Sequence, residues 1–175
     1  MNVFVLCTGR CGSVTITRAC DHISNYTNSH ESRSQMYGEE RLNYPENHIE
    51  IDNRLSWLLG RLDEKYGDDA FYVHLKRDEN ATAASFVKRY RKGIMKGYRK
   101  ILHGLPLNAN KHAVALDYCH TVNSNIAAFL RTKSKTMQMD IENGKEDFTR
   151  LWELIGAEGD KEKALSEFEI CHNAS

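Results

Sequence analysis

The chain has 175 residues, of which 41% are hydrophobic and two are proline, so its composition fits one globular domain over residues 1–175 and excludes a disordered or fibrous protein. Its 24 basic and 24 acidic residues cancel, so net charge provides no general attraction to nucleic acid or to a membrane. No apolar stretch approaches the length of about 20 residues that a membrane span requires.

Strands alternate with helices along the chain. In chain order, the predicted elements are strand 2–7, helix 13–24, helix 52–66, strand 70–76, helix 79–92, a basic helical piece 94–103, helix 111–132, strand 135–141, and helices 145–156 and 160–169. This alternation is typical of a parallel sheet covered on both faces, so we expect a three-layer α/β/α fold. Since three strands are few for such a sheet, we expect one or two more near 27–30 and 46–51.

The first strand runs into a glycine turn, Thr8-Gly-Arg-Cys-Gly-Ser13, which ends where the first helix begins. Such a turn directs backbone N–H groups and the positive end of a helix dipole at one point. Arg10, inside the turn, adds a guanidinium group suited to the same oxygens. The segment therefore predicts a binding site for an anion such as phosphate.

A second basic residue, Arg77, closes the strand over residues 70–76, and Ser85 follows eight residues later. The carboxyl edge of an open α/β sheet is where ligands bind, and Arg77 is predicted to lie at that edge. Ser85 is about two turns into the next helix. Both side chains are expected to reach one phosphate.

Together these two segments resemble the P-loop-like sulfotransferases that use 3′-phosphoadenosine 5′-phosphosulfate, in particular short bacterial-type members. The family's first motif, roughly T-x-[PG]-[KR]-S-G-T, resembles Thr8 to Ser13, and its second, R-[DN]-x-x-x-x-x-x-S, resembles Arg77 to Ser85. Cys11 stands where the family usually has Ser, and Glu79 where Pro is common. The resemblance implies a sheet like that of the P-loop nucleoside triphosphate hydrolases.

The resemblance also implies a role for each motif residue. Residues implied to hold the 5′-phosphosulfate are Thr8, Gly9, Arg10, Cys11, Gly12, Ser13 and, through its backbone, Val14. Residues implied to bind the 3′-phosphate are Arg77 and Ser85. The family commonly adds a late basic loop over the 3′-phosphate, and no clear copy follows Glu169. Either the segment Lys88–Lys100, with seven basic and no acidic residues, takes its place, or the donor site is incomplete.

Transfer of a sulfuryl group to a hydroxyl or amine requires a base that accepts the acceptor's proton. Many bacterial relatives carry a His-Glu pair at the mouth of the donor site, and His30-Glu31 matches its position, so Arg10, His30 and Glu31 are the predicted catalytic residues. His48 is a second candidate for the base. His74 alternates within a strand and is predicted to be a packed core residue.

No metal is expected, because the cysteines and histidines lack the usual spacing of zinc ligands. Cys7 and Cys11 do not form C-x-x-C, and Cys119-His120 and Cys171-His172 are adjacent pairs. Five cysteines without regular spacing, and a start that lacks a signal peptide, favour reduced thiols in the cytoplasm. Cys11 is either a reactive thiol beside Arg10 or a small residue that fits the turn.

Two alternatives to a sulfotransferase remain open. The pattern G-x-x-x-x-G-K-[ST] is incomplete, because no Lys follows Gly12, which disfavours a nucleotide phosphotransferase with a degenerate P-loop. The second alternative is a non-catalytic binding protein that keeps the fold. The acceptor is expected to be a small molecule or a glycan. Trp57 and its apolar neighbours have the spacing of core residues; the alternative is that some of them line an acceptor pocket.

Overall fold

The computed structural model describes residues 1–170, in which five parallel strands form one sheet. The strands are β1 (Val3–Cys7), β2 (Thr27–His30), β3 (His48–Ile51), β4 (Phe71–Lys76) and β5 (Thr136–Asp140). Their order across the sheet is β2-β3-β1-β4-β5. The sequence predicted one or two further strands near 27–30 and 46–51, and the structure has a strand in each stretch.

Helices connect the strands in the order predicted. They are α1 (Ser13–Cys20), α2 (Leu59–Tyr66), α3 (Glu79–Val87), α4 (Gly93–Gly97), α5 (Lys111–Leu130), α6 (Gly144–Leu154) and α7 (Lys161–Ser166). A π-helical turn, Tyr98–Leu102, continues α4. Short 3-10 turns lie at Gly38–Leu42, Asn53–Trp57, Ile141–Asn143 and Glu167–Glu169. No helix within residues 1–170 combines the length and the apolar character that crossing a membrane requires.

The sheet has a buried cluster on each face, because successive side chains of a strand point to opposite sides. On one side, Val3, Val5 and Cys7 pack with α1, α6 and α7. On the other, Phe4 and Leu6 pack with α2, α3, α4 and α5. The three-layer α/β/α arrangement is thus confirmed.

Most of the predicted helices are shorter in the structure, and contacts explain where two of them begin. The helix predicted over 52–66 begins at Leu59, because Asp52 accepts a hydrogen bond from the Arg54 N–H at 2.7 Å and thereby caps a separate 3-10 turn. The helix predicted over 79–92 ends at Val87. Its start is fixed by Asp78, whose carboxylate accepts from the Ala81 N–H at 2.8 Å.

The register of the sheet decides which residues share its carboxyl edge. Cys7, the last residue of β1, pairs with Leu75 of β4, and His30, the last residue of β2, pairs with Ile51 of β3. The segments that follow β1, β2, β3 and β4 therefore emerge at one edge. At the opposite end of β3, the His48 N–H donates a hydrogen bond to Oδ1 of Asn2 at 3.3 Å.

Candidate functional site

The turn between β1 and α1 has a backbone suited to an anion. Gly9, Arg10 and Gly12 all have positive φ angles, of 80°, 59° and 89°, and α1 begins at Ser13. The first N–H groups of a helix have no intrahelical partner. Those of α1 therefore face the turn at the positive end of the helix dipole, where anions bind favourably.

Gly12 is required at this point for two separate reasons. Its φ of 89° lies in the region that side chains rarely adopt, and a Cβ atom built there would lie 2.4 Å from Cγ1 and 2.6 Å from Cδ1 of Ile141. Ile141 follows β5, so the turn fits closely against the segment after that strand.

Replacing Gly12 with alanine is expected to lower the free energy of unfolding by about 2–4 kcal/mol, because backbone strain and overlap with Ile141 act together. Urea denaturation measures the change. Gly60→Ala is the matched control, since a Cβ at Gly60 meets no atom within 4 Å and alanine favours a helix. Equal stability of the two variants would contradict the close fit.

Two side chains from other elements hold the start of the turn. The Thr8 carbonyl accepts from the Tyr118 hydroxyl at 2.7 Å and from Nδ2 of Asn53 at 3.3 Å. Tyr118 is fully buried on α5. The turn is thus fixed to the helical layer that covers the second face of the sheet.

Arg10 brings the two predicted phosphate motifs together. Its Nε donates to the Ser85 hydroxyl at 2.9 Å, and its carbonyl accepts from Nη1 of Arg77 at 3.2 Å. A hydroxyl that accepts a hydrogen bond still has its own O–H to donate, so Ser85 retains a donor for a phosphate oxygen. The glycine turn and the second motif therefore form one continuous site.

The site is strongly basic. Partial burial lowers the pKa of Arg10, and the positive charges of Arg89 and Arg77 lower it further. Convergence of three guanidinium groups raises the local positive potential and favours an anionic ligand. Beyond Arg89 the surface continues into an open cleft of about 600 Å³, whose charged lining residues are Lys88, Arg89, Arg91, Lys92 and Lys111.

His30 lies beside the turn, whereas Glu31 is engaged elsewhere. Nε2 of His30 is 3.1 Å from the Ser13 hydroxyl, and its side chain is exposed. The Glu31 carboxylate forms an ion pair with Arg54, which follows β3. The geometry therefore places His30, rather than Glu31, against the first residue of α1 with an accessible ring.

His48, the second candidate for the base, and His74, the predicted core residue, are both buried structural residues. His48 is buried at the opposite edge of the sheet, with Nδ1 2.8 Å from the Thr27 hydroxyl and Nε2 3.0 Å from Glu50. His74 is buried and lies 3.1 Å from the Asn123 amide oxygen, and burial lowers its pKa. His48 is therefore too distant to act at the turn, and His74 is a core residue, as its strand position indicated.

Cys11 lies within the turn, and its side chain is fully buried. A hydrogen bond with the Cys7 thiol lowers the pKa of Cys11 despite burial, and the same contact raises that of Cys7. A buried thiol favours the interpretation of Cys11 as a small residue that fits the turn. Among residues 1–170 no group of three or more His, Cys, Asp or Glu side chains could hold a metal ion; Cys171 and His172 lie outside the described residues.

The whole structure is similar to a solved sulfotransferase domain from the curacin biosynthetic pathway. The TM-score is 0.69 at 14% sequence identity, and the match covers 97% of this chain and 78% of that chain. At this identity the similarity shows the fold, and it confirms the predicted P-loop-like α/β class. No protein-family model matches the chain, and no curated protein matches it in sequence.

Proposed function

We propose that the chain, as one domain over residues 1–175, is a sulfotransferase that uses 3′-phosphoadenosine 5′-phosphosulfate and a hydroxyl or amine acceptor. The acceptor oxygen or nitrogen bonds to sulfur as the bond between sulfur and the 5′-phosphate oxygen breaks. The electron pair of that bond leaves with the phosphate oxygen. The acceptor's proton passes to a base, so the products are a sulfated acceptor, adenosine 3′,5′-bisphosphate and a proton.

The observation that carries this proposal is the link that Arg10 makes between the glycine turn and Ser85. A donor with phosphate at both the 5′ and the 3′ positions needs two anion sites side by side. The turn at α1 supplies one, and Arg77 with Ser85 supplies the other. The fold shared with a sulfotransferase domain supports the same assignment.

The residues of the candidate site have separate roles in this mechanism. The amides of Gly12, Ser13 and Val14 bind the oxygens of the phosphosulfate, and the Arg10 guanidinium stabilises charge that develops on the leaving phosphate. His30, beside Ser13, accepts the proton of the acceptor. Its exposed ring suits a base that must meet an acceptor arriving from solvent.

Competition between nucleotides separates this proposal from a phosphotransferase with a degenerate P-loop. The desulfated product, adenosine 3′,5′-bisphosphate, is used as the bound ligand in calorimetry. ATP with Mg²⁺ is expected to displace it weakly, because no Lys follows Gly12 to reach the β- and γ-phosphates. Strong displacement by ATP with Mg²⁺ would favour the phosphotransferase. Transfer of labelled sulfate to an acceptor would exclude the non-catalytic alternative.

Replacing Arg10 with alanine is expected to weaken binding of adenosine 3′,5′-bisphosphate by about one to two orders of magnitude, since one charge-assisted contact is worth roughly 1.5–3 kcal/mol. Calorimetry measures the affinity. Arg18→Ala is the matched control, because Arg18 is an exposed residue of α1 that pairs with Asp21. Unchanged affinity of the Arg10 variant would exclude its role at the phosphate.

A further inference from the structure

An apolar groove lies between the 3-10 turn at Asn53–Trp57 and the segment formed by α4 and its π-helical turn. Its volume is about 220 Å³, and it is lined by Trp57, Ile94, Gly97, Tyr98, Ile101 and Leu102. Three of these side chains are substantially exposed: Trp57 at 38%, Ile101 at 82% and Leu102 at 55%. Exposed apolar side chains that gather in a concave patch commonly mark a binding site.

The groove adjoins the phosphate turn through a single aromatic ring. The Trp57 ring stacks on the ring of Tyr118 with centroids 6.4 Å apart, and the Tyr118 hydroxyl donates to the Thr8 carbonyl at 2.7 Å. In addition, the turn that carries Trp57 begins at Asn53, which also contacts Thr8. The wall of the groove formed by Trp57 is therefore linked to the start of the glycine turn through Tyr118 and Asn53.

Two lining residues, Tyr98 and Gly97, define the shape of the groove. Tyr98 is buried, and its hydroxyl donates to Asp117 at 2.5 Å and lies 3.1 Å from the Thr121 hydroxyl. Gly97 leaves space where a side chain would stand. The π-helical geometry of Tyr98–Leu102 is rare in proteins and occurs frequently at functional sites.

We propose that this groove is the acceptor site, and that its ligand is a small apolar alcohol or phenol with one or two rings. The inference rests on the proposed function, because the acceptor hydroxyl has to point toward the bound donor. Pockets for drug-sized ligands have volumes of about 300–1,000 Å³. The groove is smaller than that, so its ligand should be small. The lining residues offer aromatic and aliphatic surface rather than hydrogen-bonding groups, which favours a ring over a sugar.

Binding of 4-propylphenol tests the proposal without any donor. In a Trp152→Phe variant Trp57 is the remaining tryptophan, because the chain has two, and Trp152 is buried in the opposite layer. 4-Propylphenol is expected to change Trp57 fluorescence saturably, and glucose, a polar alcohol, is expected to leave it unchanged. Calorimetry on the unmodified chain measures the same affinity.

A surface substitution locates the site. Ile101→Ser is expected to weaken 4-propylphenol binding by about fivefold or more, because it removes apolar contact without disturbing the core. Leu154→Ser is the matched control, since Leu154 is 48% exposed on α6, which packs on the other face of the sheet. Its expected effect is less than about twofold.

Three results would overturn the proposal: no saturable binding of 4-propylphenol, equal weakening by both serine variants, or self-association in sedimentation that Ile101→Ser abolishes. The last would identify the groove as an interface between two copies of the chain. Binding of adenosine 3′,5′-bisphosphate is measured separately. If the protein binds 4-propylphenol but not adenosine 3′,5′-bisphosphate, the proposed function is wrong. If it binds the nucleotide but not 4-propylphenol, only the acceptor assignment is wrong.

Discussion

Replacing His30 with alanine is expected to lower turnover by about two to four orders of magnitude while leaving donor binding nearly unchanged. The reason is its place in the site: Nε2 lies 3.1 Å from the Ser13 hydroxyl at the start of α1, and the ring is exposed to an incoming acceptor. Steady-state transfer of labelled sulfate gives the turnover, and calorimetry with adenosine 3′,5′-bisphosphate gives the affinity.

His120→Ala is the control for this experiment, because His120 is an exposed histidine on α5 and should not affect either quantity. Glu31→Ala tests the other member of the predicted pair. Since Glu31 pairs with Arg54, we expect a smaller loss of turnover than with His30. If neither variant slows transfer, the base lies elsewhere, and the buried His48 at the opposite edge of the sheet is excluded by its position.

The two strands on one side of β1, which are β2 and β3, show where sequence patterns stop being informative. β2 has the sequence Thr-Asn-Ser-His and no apolar residue, so nothing but its position between two predicted elements suggested a strand. β3 alternates in sequence but is buried throughout. Its Glu50 is fully buried because the carboxylate accepts from both the N–H and the hydroxyl of Ser32, at 2.8 and 2.6 Å. Such partners come from distant loops and leave no local pattern.

The candidate site was predictable where it depends on local backbone. Glycines in a turn between a strand and a helix predict left-handed backbone there, and the positive φ angles of Gly9 and Gly12 agree with that prediction. The contact between Arg10 and Ser85 joins residues 75 positions apart, so the fold was needed to show it. The resemblance to a known family placed both motifs in one site before the geometry was known.

Other residues of the site carried no distinguishing signal. Asn53 and Tyr118 act on the turn through the Thr8 carbonyl, and polar or aromatic residues on helical segments are common. Arg89 was one basic residue among seven in Lys88–Lys100. Its effect on the pKa of Arg10 singles it out, and it indicates that the basic segment borders the candidate anion site from the side of α3.

Recognition of the 3′-phosphate provides the sharpest test of the donor assignment. If Arg77 and Ser85 bind that group, the protein should bind adenosine 3′,5′-bisphosphate at least about tenfold more tightly than adenosine 5′-monophosphate, because two charge-assisted contacts are made to one ligand and not to the other. Calorimetry with each nucleotide measures the preference. The Arg77→Ala, Ser85→Ala double variant should bind both nucleotides about equally.

The control pair Arg150→Ala, Ser124→Ala removes the same residue types from exposed positions on α6 and α5, and it should keep the full preference. The affinity left in the Arg77 and Ser85 double variant would come from the glycine turn and Arg10. Equal binding of both nucleotides by the unmodified protein would instead favour a general phosphate site. A preference that survives the double substitution would assign the 3′-phosphate to the basic cleft beyond Arg89, whose lysines and arginines would then replace the late loop of the family.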